Sequence, residues 1–314
     1  MLEGKISLVT GGAGFIGSHL CERLLKMGSA VVCFDNLSTG RESNIEHLKT
    51  NGNFYFIKGD ANNKTELAAA FSQFKIDFVF HYAAIVGVKR TLESPLEVMA
   101  DIAGINNILE CSERAGVKKI VFSSSSEVYG NPLELPERED GAVNAKMPYA
   151  VVKLAGENLL RAYWEKRKLP TVALRFFNVY GPRQEGSEYG FVVGVFINQV
   201  LEGKSPTIFG DGTQTRDFVF VDDNVEAAIC ALTRDEANGQ VINIGTGRPT
   251  TVLELAEKII SISGKSIKPE FLPPRKIEVW HRWPQISKMR QCLDFTPRVG
   301  LEEGLKKTYE AYLR

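Results

Sequence analysis

The chain has 314 residues, with 38 Lys and Arg residues against 38 Asp and Glu residues, so its formal net charge at pH 7 is zero. A neutral chain has no overall electrostatic attraction for nucleic acid or for an anionic membrane surface, and we expect neither as a partner. Hydrophobic residues make up 44% of the sequence and charged residues 24%, which argues against intrinsic disorder and indicates a folded protein with a sizeable core, expected in two lobes.

The cysteines and histidines are scattered along the chain. An odd number of widely spaced cysteines without a CxxC pair predicts no disulfide framework and no metal site. We therefore expect reduced thiols in a cytoplasmic protein. The first apolar run is short and leads directly into a glycine cluster, so it predicts a strand rather than a signal peptide. The apolar runs are shorter than the roughly 18–20 residues needed to span a bilayer.

The first half of the chain alternates short, nearly continuously apolar runs with longer amphipathic patterns. This alternation predicts a parallel sheet with helices on both faces. The predicted strands cover residues 6–10, 30–35, 54–58, 78–81, 119–123 and 171–176, and the predicted helices cover residues 18–27, 66–73, 96–114 and 149–168. After Asn178 the rhythm ends, and later segments predict a smaller second lobe. These segments are strands at 218–221 and 241–244, helices at 223–232 and 252–261, and a loop at 269–284.

A glycine cluster follows the first predicted strand and opens a helix. Gly11, Gly14 and Gly17 fit the form G-x-x-G-x-x-G, in which glycines permit a tight turn and a close backbone approach to a diphosphate. Asp35 ends the second strand about 18 residues later, where a carboxylate can accept both ribose hydroxyls and favours NAD over NADP. Asp60 could line an adenine-side loop or be a plain turn residue. A P-loop is excluded because no Gly-Lys-Ser/Thr follows the glycines.

Tyr149 and Lys153 lie one helical turn apart on the same predicted face. The ammonium is expected to lower the pKa of the phenol, so that a phenolate can take a proton from a sugar hydroxyl while hydride leaves for NAD⁺. Four serines at 123–126 and Glu127 stand at the carboxyl end of a strand, where ligands bind in open α/β sheets. Alternatively, Tyr149 and Lys153 could be two surface residues of a helix, and the serines with Glu127 could form a plain turn.

Together these features resemble the extended short-chain dehydrogenase/reductase family, specifically its nucleotide-sugar epimerases, dehydratases and decarboxylases. The motifs that carry the resemblance lie at 10–17, 35–40, 81–84, 123–130, 149–153, 175–183, 210–218 and 301–305. The resemblance implies an α/β fold with a Rossmann-type doubly wound parallel sheet and a smaller C-terminal α/β lobe. It predicts an NAD-binding domain at 1–177 plus 214–247 and a nucleotide-sugar-binding lobe at 178–213 plus 248–314. It also implies a homodimer formed through the helices at 96–114 and 149–168.

The same resemblance implies roles for individual residues. Tyr149 would be the base, Lys153 its partner and ribose ligand, and Ser125, beside Ser126, would hydrogen-bond the C4 oxygen. The implied cofactor-binding residues are Gly11, Gly14, Phe15, Ile16, Gly17, Asp35, Asn36, Ser38, Gly40, Asp60, Ala61, Ala83 and Ala84, together with Tyr149 and Lys153. Asn178, Arg216 and Arg275 would hold the substrate diphosphate. Val193, Phe196 and Phe209 would flank its base, and Arg282 would lie near an acidic end of the sugar.

The family chemistry begins with oxidation of the sugar at C4 by bound NAD⁺, and later steps depend on other side chains. Glu127 stands where dehydratases and decarboxylases of the family carry Glu, so it favours 4,6-dehydration or C5 decarboxylation. A simple 4-epimerase is the alternative, because the stretches 83–90 and 182–189 are similar to epimerases. A net dehydrogenase that exchanges its cofactor is another alternative. A non-catalytic NAD-binding regulator is more remote, since such proteins often lose the Tyr or the Lys.

Three residues have more than one interpretation. Glu127 could instead orient Tyr149 or Lys153, Arg282 could be a surface charge beside a Trp, and Arg183 could pair with a nearby carboxylate. Asp101 departs from the Asn usual at its position in the family and could alter contacts behind the nicotinamide.

Overall fold

The computed structural model describes residues 2–187, 190–274 and 279–313. The strands are β1 (Ile6–Thr10), β2 (Ala30–Asp35), β3 (Phe54–Lys58), β4 (Phe78–His81), β5 (Lys119–Ser125), β6 (Thr171–Phe176), β7 (Asn178–Tyr180), β8 (Thr207–Phe209), β9 (Thr215–Phe220), β10 (Val241–Ile244), β11 (Pro249–Thr251), β12 (Glu270–Leu272) and β13 (His281–Arg282). The helices are α1 (Phe15–Lys26), α2 (Lys64–Gln73), α3 (Val88–Glu93), α4 (Pro95–Ala115), α5 (Pro148–Arg167), α6 (Val192–Leu201), α7 (Val221–Thr233), α8 (Val252–Ser263), α9 (Ser287–Leu293) and α10 (Leu301–Tyr312). Within these ranges, no helix qualifies as a membrane-spanning segment.

The larger lobe is built on a seven-stranded sheet in the order β10-β6-β5-β4-β1-β2-β3, and every neighbouring pair is parallel. The chain winds outward from β1 to β3, then returns to the middle of the sheet at β4 and winds the other way. The predicted Rossmann-type doubly wound sheet is therefore confirmed. A reversal of strand order between β1 and β4 leaves a crevice at the carboxyl ends of the strands, which is where such folds bind ligands.

Both faces of this sheet are covered, which explains why its strands are nearly continuously apolar. On one face α1, α7 and α9 pack against the sheet, with Leu24, Ala228 and Met289 in the buried core. On the other face α2, α4 and α5 bury residues such as Ile108 and Leu160. The sheet is therefore buried between two layers of helices.

The smaller lobe surrounds a second sheet, in which β9 pairs with β7, β11 and β13. Helices α6, α8 and α10 supply its apolar core together with buried side chains of β9. The two-lobe division at the stated boundaries remains a prediction. The predicted NAD-binding domain includes β9, which in the structure pairs within the smaller sheet. The predicted smaller lobe includes α9, which packs against the face of the larger sheet.

The segment 269–284, predicted as a loop, contains two short strands. Strand β12 pairs with β8, and β13 pairs with β9 beside Arg216. The two strands are three and two residues long, which is too short to produce the alternating pattern by which sequence indicates a strand. The position of β13 matters for function, because it carries Arg282 inward.

A buried ion pair ties α5 to the larger sheet. Arg175 on β6 donates from Nε and Nη2 to the two carboxylate oxygens of Glu157 on α5, both at 2.8 Å, and both side chains are nearly inaccessible to solvent. Ser124 at the end of β5 also donates to Glu157 at 2.5 Å. Two desolvated charges are tolerated here because the guanidinium and the carboxylate are joined by two hydrogen bonds and Ser124 supplies a third to the carboxylate.

We predict that Glu157→Gln lowers the free energy of unfolding by about 3 kcal/mol, because it leaves the Arg175 charge buried without its counterion. Chemical denaturation of the two proteins would measure the difference. Glu165→Gln, at an exposed position on the same helix, is the matched control and should change stability by less than about 0.5 kcal/mol. Equal stability of both variants would show that the buried pair contributes nothing.

Candidate active site

A cavity of about 930 Å³ opens at the carboxyl edge of the larger sheet and extends to the smaller lobe. It brings together most of the residues that the sequence singles out. Those that line it are Gly11, Gly14, Phe15, Ile16, Gly17, Asp35, Asn36, Ser38, Asp60, Ala61, Ala83, Ala84, Ser125, Ser126, Glu127, Tyr149, Lys153, Asn178, Arg216 and Arg282.

Several predicted residues do not line this cavity. Val193 and Phe196 are buried in the core of the smaller lobe and are not among the lining residues, so their place beside a nucleotide base stays a prediction. Phe209 lies at the end of β8, outside the lining. Gly40 is also outside it, although a Cβ there would come within 2.8 Å of the Asp35 carboxylate. Arg275 lies outside the described residues.

The glycine turn between β1 and α1 packs tightly against the neighbouring strand end. Gly11 has φ +69°, and a Cβ on it would come within 2.7 Å of the backbone nitrogen of Ala83. Gly14 caps α1 without a side-chain hydrogen bond, so the first N–H groups of the helix are left for a ligand. Free N–H groups and the positive end of the helix dipole fit a diphosphate.

Asp35 lies at the end of β2 beside this turn. Its carboxylate accepts hydrogen bonds from the backbone N–H groups of Ala13 at 2.9 Å and Leu37 at 2.8 Å. Burial raises the pKa of Asp35, and these two N–H donors oppose the rise. Each oxygen keeps an acceptor site at the cavity, as the ribose hydroxyls of NAD require. Asp60 accepts from Asn36 at 3.2 Å and Asn62 at 2.8 Å, so it both shapes a turn and borders the cavity.

Tyr149 and Lys153 project from α5 toward the end of β5. The Lys153 ammonium lies 5.4 Å from the centroid of the Tyr149 ring and 4.8 Å from that of Phe122, and it donates to Ser123 Oγ at 3.4 Å. Burial lowers the pKa of Lys153 to about 8, although the negative charge of Asp101 opposes this. The predicted pair is therefore a desolvated one.

The pKa of the Tyr149 phenol differs from the sequence-based expectation of a lowered value. Burial raises it, and the negative charge of Glu127 adds to the rise, while the neighbouring Ser125 hydroxyl opposes it. The spacing of Tyr149 and Lys153 predicts that the two side chains lie close together, but it carries no information on how much solvent the fold removes from both groups. In the protein alone, the phenol therefore holds its proton.

Glu127 and Arg282 are joined in an ion pair at the cavity. Arg282 Nη1 donates to Glu127 Oε1, and Nη2 donates to the carbonyl oxygen of Gly130 at 2.7 Å. Arg282 is 2% exposed, so the interpretation as a surface charge is wrong. The ion pair therefore engages one carboxylate oxygen of Glu127 at the cavity.

Other charged residues at the site have defined partners. Arg183 pairs with Glu22 and donates to Ser18 Oγ at 3.1 Å, which confirms the expected pairing with a carboxylate. Asp101 accepts from the Asn62 side chain at 3.1 Å and from the backbone N–H of Ile85 at 3.0 Å. It thereby ties α4 to the loops that follow β3 and β4.

One ion pair at the cavity is not anticipated by the sequence analysis. Arg90 Nη2 lies 3.3 Å from Glu185 Oε2, and both residues line the cavity. The two side chains are 95 positions apart and come from different lobes. Each falls in a stretch that is similar to epimerases, but nothing in the local pattern indicates that the two meet.

Comparisons with known proteins agree with this geometry. The model of the NAD dependent epimerase/dehydratase family matches residues 7–245. A UDP-glucose 4-epimerase of Mycolicibacterium smegmatis is 39% identical over 308 residues, covering 98% of each chain. A UDP-N-acetyl-alpha-D-glucosaminuronate decarboxylase of Bacillus cytotoxicus is 37% identical over 318 residues, covering 98% of this chain and 97% of its own. The structure of a UDP-glucose 4-epimerase from Thermotoga maritima with UDP-glucose has a TM-score of 0.93 at 37% identity, covering 98% of each chain.

We predict that Gly11→Ala lowers the amount of bound NAD by about tenfold or more, because the added Cβ would overlap the backbone at Ala83 and push the turn away from the diphosphate. The nucleotide released from purified protein on denaturation would be quantified by chromatography. Gly52→Ala, where a Cβ meets no atom within 4 Å, is the control and should retain wild-type occupancy. Full occupancy in the Gly11 variant would mean that the diphosphate lies elsewhere.

Proposed function

The chain belongs to the NAD dependent epimerase/dehydratase family, and we propose that within it the protein is a UDP-sugar 4-epimerase. NAD is the cofactor of this enzyme family. UDP-sugar 4-epimerases predominate among the relatives, so the comparisons favour this alternative over the dehydration or decarboxylation that Glu127 suggests from sequence. A nucleotide-sugar substrate agrees with the size of the cavity and with its position at the edge of the sheet.

The engagement of Glu127 by Arg282 is the observation that carries the proposal. Dehydration needs a base that removes the C5 proton of the 4-keto sugar, and decarboxylation needs an acidic group at C5 to be accommodated. Arg282 donates from Nη1 to Glu127 and from Nη2 to the carbonyl oxygen of Gly130. Either task would therefore require this ion pair to be broken first. Epimerisation at C4 requires no base at C5.

The remaining groups suit epimerisation. Tyr149 takes the proton from the C4 hydroxyl, and Ser125 hydrogen-bonds the C4 oxygen as it becomes a carbonyl. When bound, NAD supplies the acceptor for the hydride from C4. Lys153 places a positive charge beside the phenol and so favours the deprotonated form of Tyr149. The cavity of about 930 Å³ runs from the glycine turn to Arg216 in the smaller lobe, so NAD and the sugar would share it, with the sugar beside Tyr149 and Ser125.

Further assignments complete the proposal. Asn178 and Arg216, both at the cavity, are suited to hold the substrate diphosphate together with Arg275. The two-lobe division, a homodimer through α4 and α5, and a cytoplasmic location belong to the same proposal. Exposed Leu96 and Met99 on α4 support the dimer, since a pairing of α4 with its copy would cover them.

We predict that Tyr149→Phe lowers kcat for UDP-sugar 4-epimerisation by about 100- to 10,000-fold, because the variant cannot exchange the C4 hydroxyl proton. Conversion of UDP-glucose and UDP-N-acetylglucosamine would be followed by NMR. Tyr82→Phe is the control, because the buried Tyr82 hydroxyl makes no hydrogen bond with any described residue. Substantial turnover by the Tyr149 variant would remove Tyr149 from the role of base.

A second prediction separates the three reactions. If the enzyme is a 4-epimerase, Glu127→Gln keeps kcat within about tenfold of wild type, whereas a reaction that uses Glu127 as its base would slow by about 100-fold or more. The assay uses a panel of UDP-hexoses and UDP-uronates in D₂O. Epimerisation incorporates no solvent deuterium, dehydration gives a C6 methyl with deuterium at C5, and decarboxylation gives a pentose with one deuterium at C5.

Decarboxylation is the second candidate, favoured by the position of Arg282 and Glu127 at the cavity and by the Bacillus cytotoxicus relative. In that case a UDP-uronate would displace Glu127 from Arg282. A deuterated pentose product from wild type, lost in Glu127→Gln, would replace the 4-epimerase proposal with this one.

A further inference from the structure

Glu137 carries a buried carboxylate that the proposed reaction does not use. It lies in the loop between β5 and α5, and its side chain is 1% exposed. Its backbone is fixed, because its N–H donates to the carbonyl of Trp283 at 2.9 Å and its carbonyl accepts from Gln285 N–H at 2.8 Å. Among the described residues, no donor forms a hydrogen bond with either carboxylate oxygen. A buried carboxylate without such donors is costly and needs a physical explanation.

The nearest cation is Arg282. Its Nε lies 3.6 Å from Glu137 Oε1, and this Nε makes no hydrogen bond within the described part of the chain. The other edge of the same guanidinium donates to Glu127 and Gly130. One positive charge therefore separates two carboxylates, with Glu127 at the cavity, where its side chain is 45% exposed, and Glu137 behind it.

The other charged groups that face Glu137 are Arg216 on β9 and Arg175 on β6, together with Glu127. Arg175 is bound to Glu157 through two hydrogen bonds, and Arg216 donates to the carbonyl of Thr215 at 2.8 Å. Burial raises the pKa of Glu137 to about 8, and Glu127 adds to the rise while the three arginines oppose it. Glu137 is therefore a neutral carboxyl at pH 7 and a carboxylate in alkaline solution.

We propose that Glu137 is a positioning residue for Arg282, leaving the guanidinium to Glu127 while it is neutral and competing for it from behind once it is ionised. When Glu137 is ionised, the ion pair between Glu127 and Arg282 is weakened, and Glu127 can move at the border of the sugar site. The catalytic consequence rests on the proposed function, whereas the competition for Arg282 does not.

The test compares wild type, Glu137→Gln and Glu134→Gln between pH 6 and pH 9.5. Glutamine reproduces the shape of the neutral carboxyl and cannot ionise. The ratio of kcat/KM for Glu137→Gln to that of wild type should rise about threefold from pH 7 to pH 9.5, because only wild type can loosen Glu127 from Arg282 by ionising Glu137. The titration of Lys153 occurs in both proteins, so its effect on kcat/KM cancels in this ratio. Glu134→Gln, at an exposed position in the same loop, should follow wild type throughout. A ratio that is constant with pH would mean a merely structural role and would overturn the proposal.

Thermal unfolding supplies a readout that needs no substrate. The carboxyl of Glu137 ionises near 4.5 when unfolded and near 8 when folded, so the folded state binds the extra proton between these values. The wild-type Tm should therefore fall relative to that of Glu137→Gln as pH rises from 5 to 8, and the difference should level off above 8. In Glu127→Gln the fall in Tm should be complete at a lower pH, because the negative charge of Glu127 no longer raises the pKa of Glu137.

These outcomes separate the two proposals. A Tm difference that is independent of pH would overturn the role of Glu137 whether or not UDP-sugars are turned over. The expected Tm behaviour without any UDP-sugar epimerisation would overturn the proposed function and leave the competition for Arg282 standing. If Glu137→Gln does not fold, the dependence of Tm on pH in Glu127→Gln decides. A profile that is the same as that of wild type counts against the proposal.

Discussion

All strands of the larger sheet are parallel, so their carboxyl ends meet at one edge, and the site depends on this constraint. The glycine turn follows β1, Asp35 ends β2, Ala83 follows β4 and Ser125 ends β5. The backbone topology alone thus makes neighbours of residues that are far apart in sequence. The close approach of Gly11 to Ala83 then narrows the crevice, and α1 points its free N–H groups into it. The cofactor site is therefore mainly a property of the backbone.

The catalytic end of the cavity depends on desolvation. Removing Tyr149 and Lys153 from water disfavours the phenolate and the ammonium alike, which raises the pKa of one and lowers that of the other. The two pKa values, which are similar in water, therefore move apart in the fold. A phenol with a raised pKa is closer in proton affinity to an aliphatic hydroxyl, so under the proposed function the proton exchange between Tyr149 and the sugar is better matched.

The sequence predicts features that depend on local order. The strand–helix alternation, the glycine turn with its acid at the end of β2, and the four-residue spacing of Tyr149 and Lys153 are all short-range patterns, and the structure places them together at one cavity. It does not predict the partner of Glu127, because Arg282 is 155 positions away and reaches it only through the two-residue strand β13. The direction of the Tyr149 pKa shift is missed for a related reason, since burial is set by the whole fold.

The charges of the cavity give the zero net charge of the chain a more specific meaning. Arg90 is paired with Glu185, Arg282 with Glu127, and Lys153 is opposed by Asp101, so most positive groups at the site already face a carboxylate. A second negative group on the sugar would have to compete with one of these carboxylates for its cation. Backbone N–H groups at the start of α1 carry no formal charge and can receive phosphate charge without disturbing these pairs. For the UDP-sugar 4-epimerase that we propose, this balance favours a neutral sugar beside Tyr149.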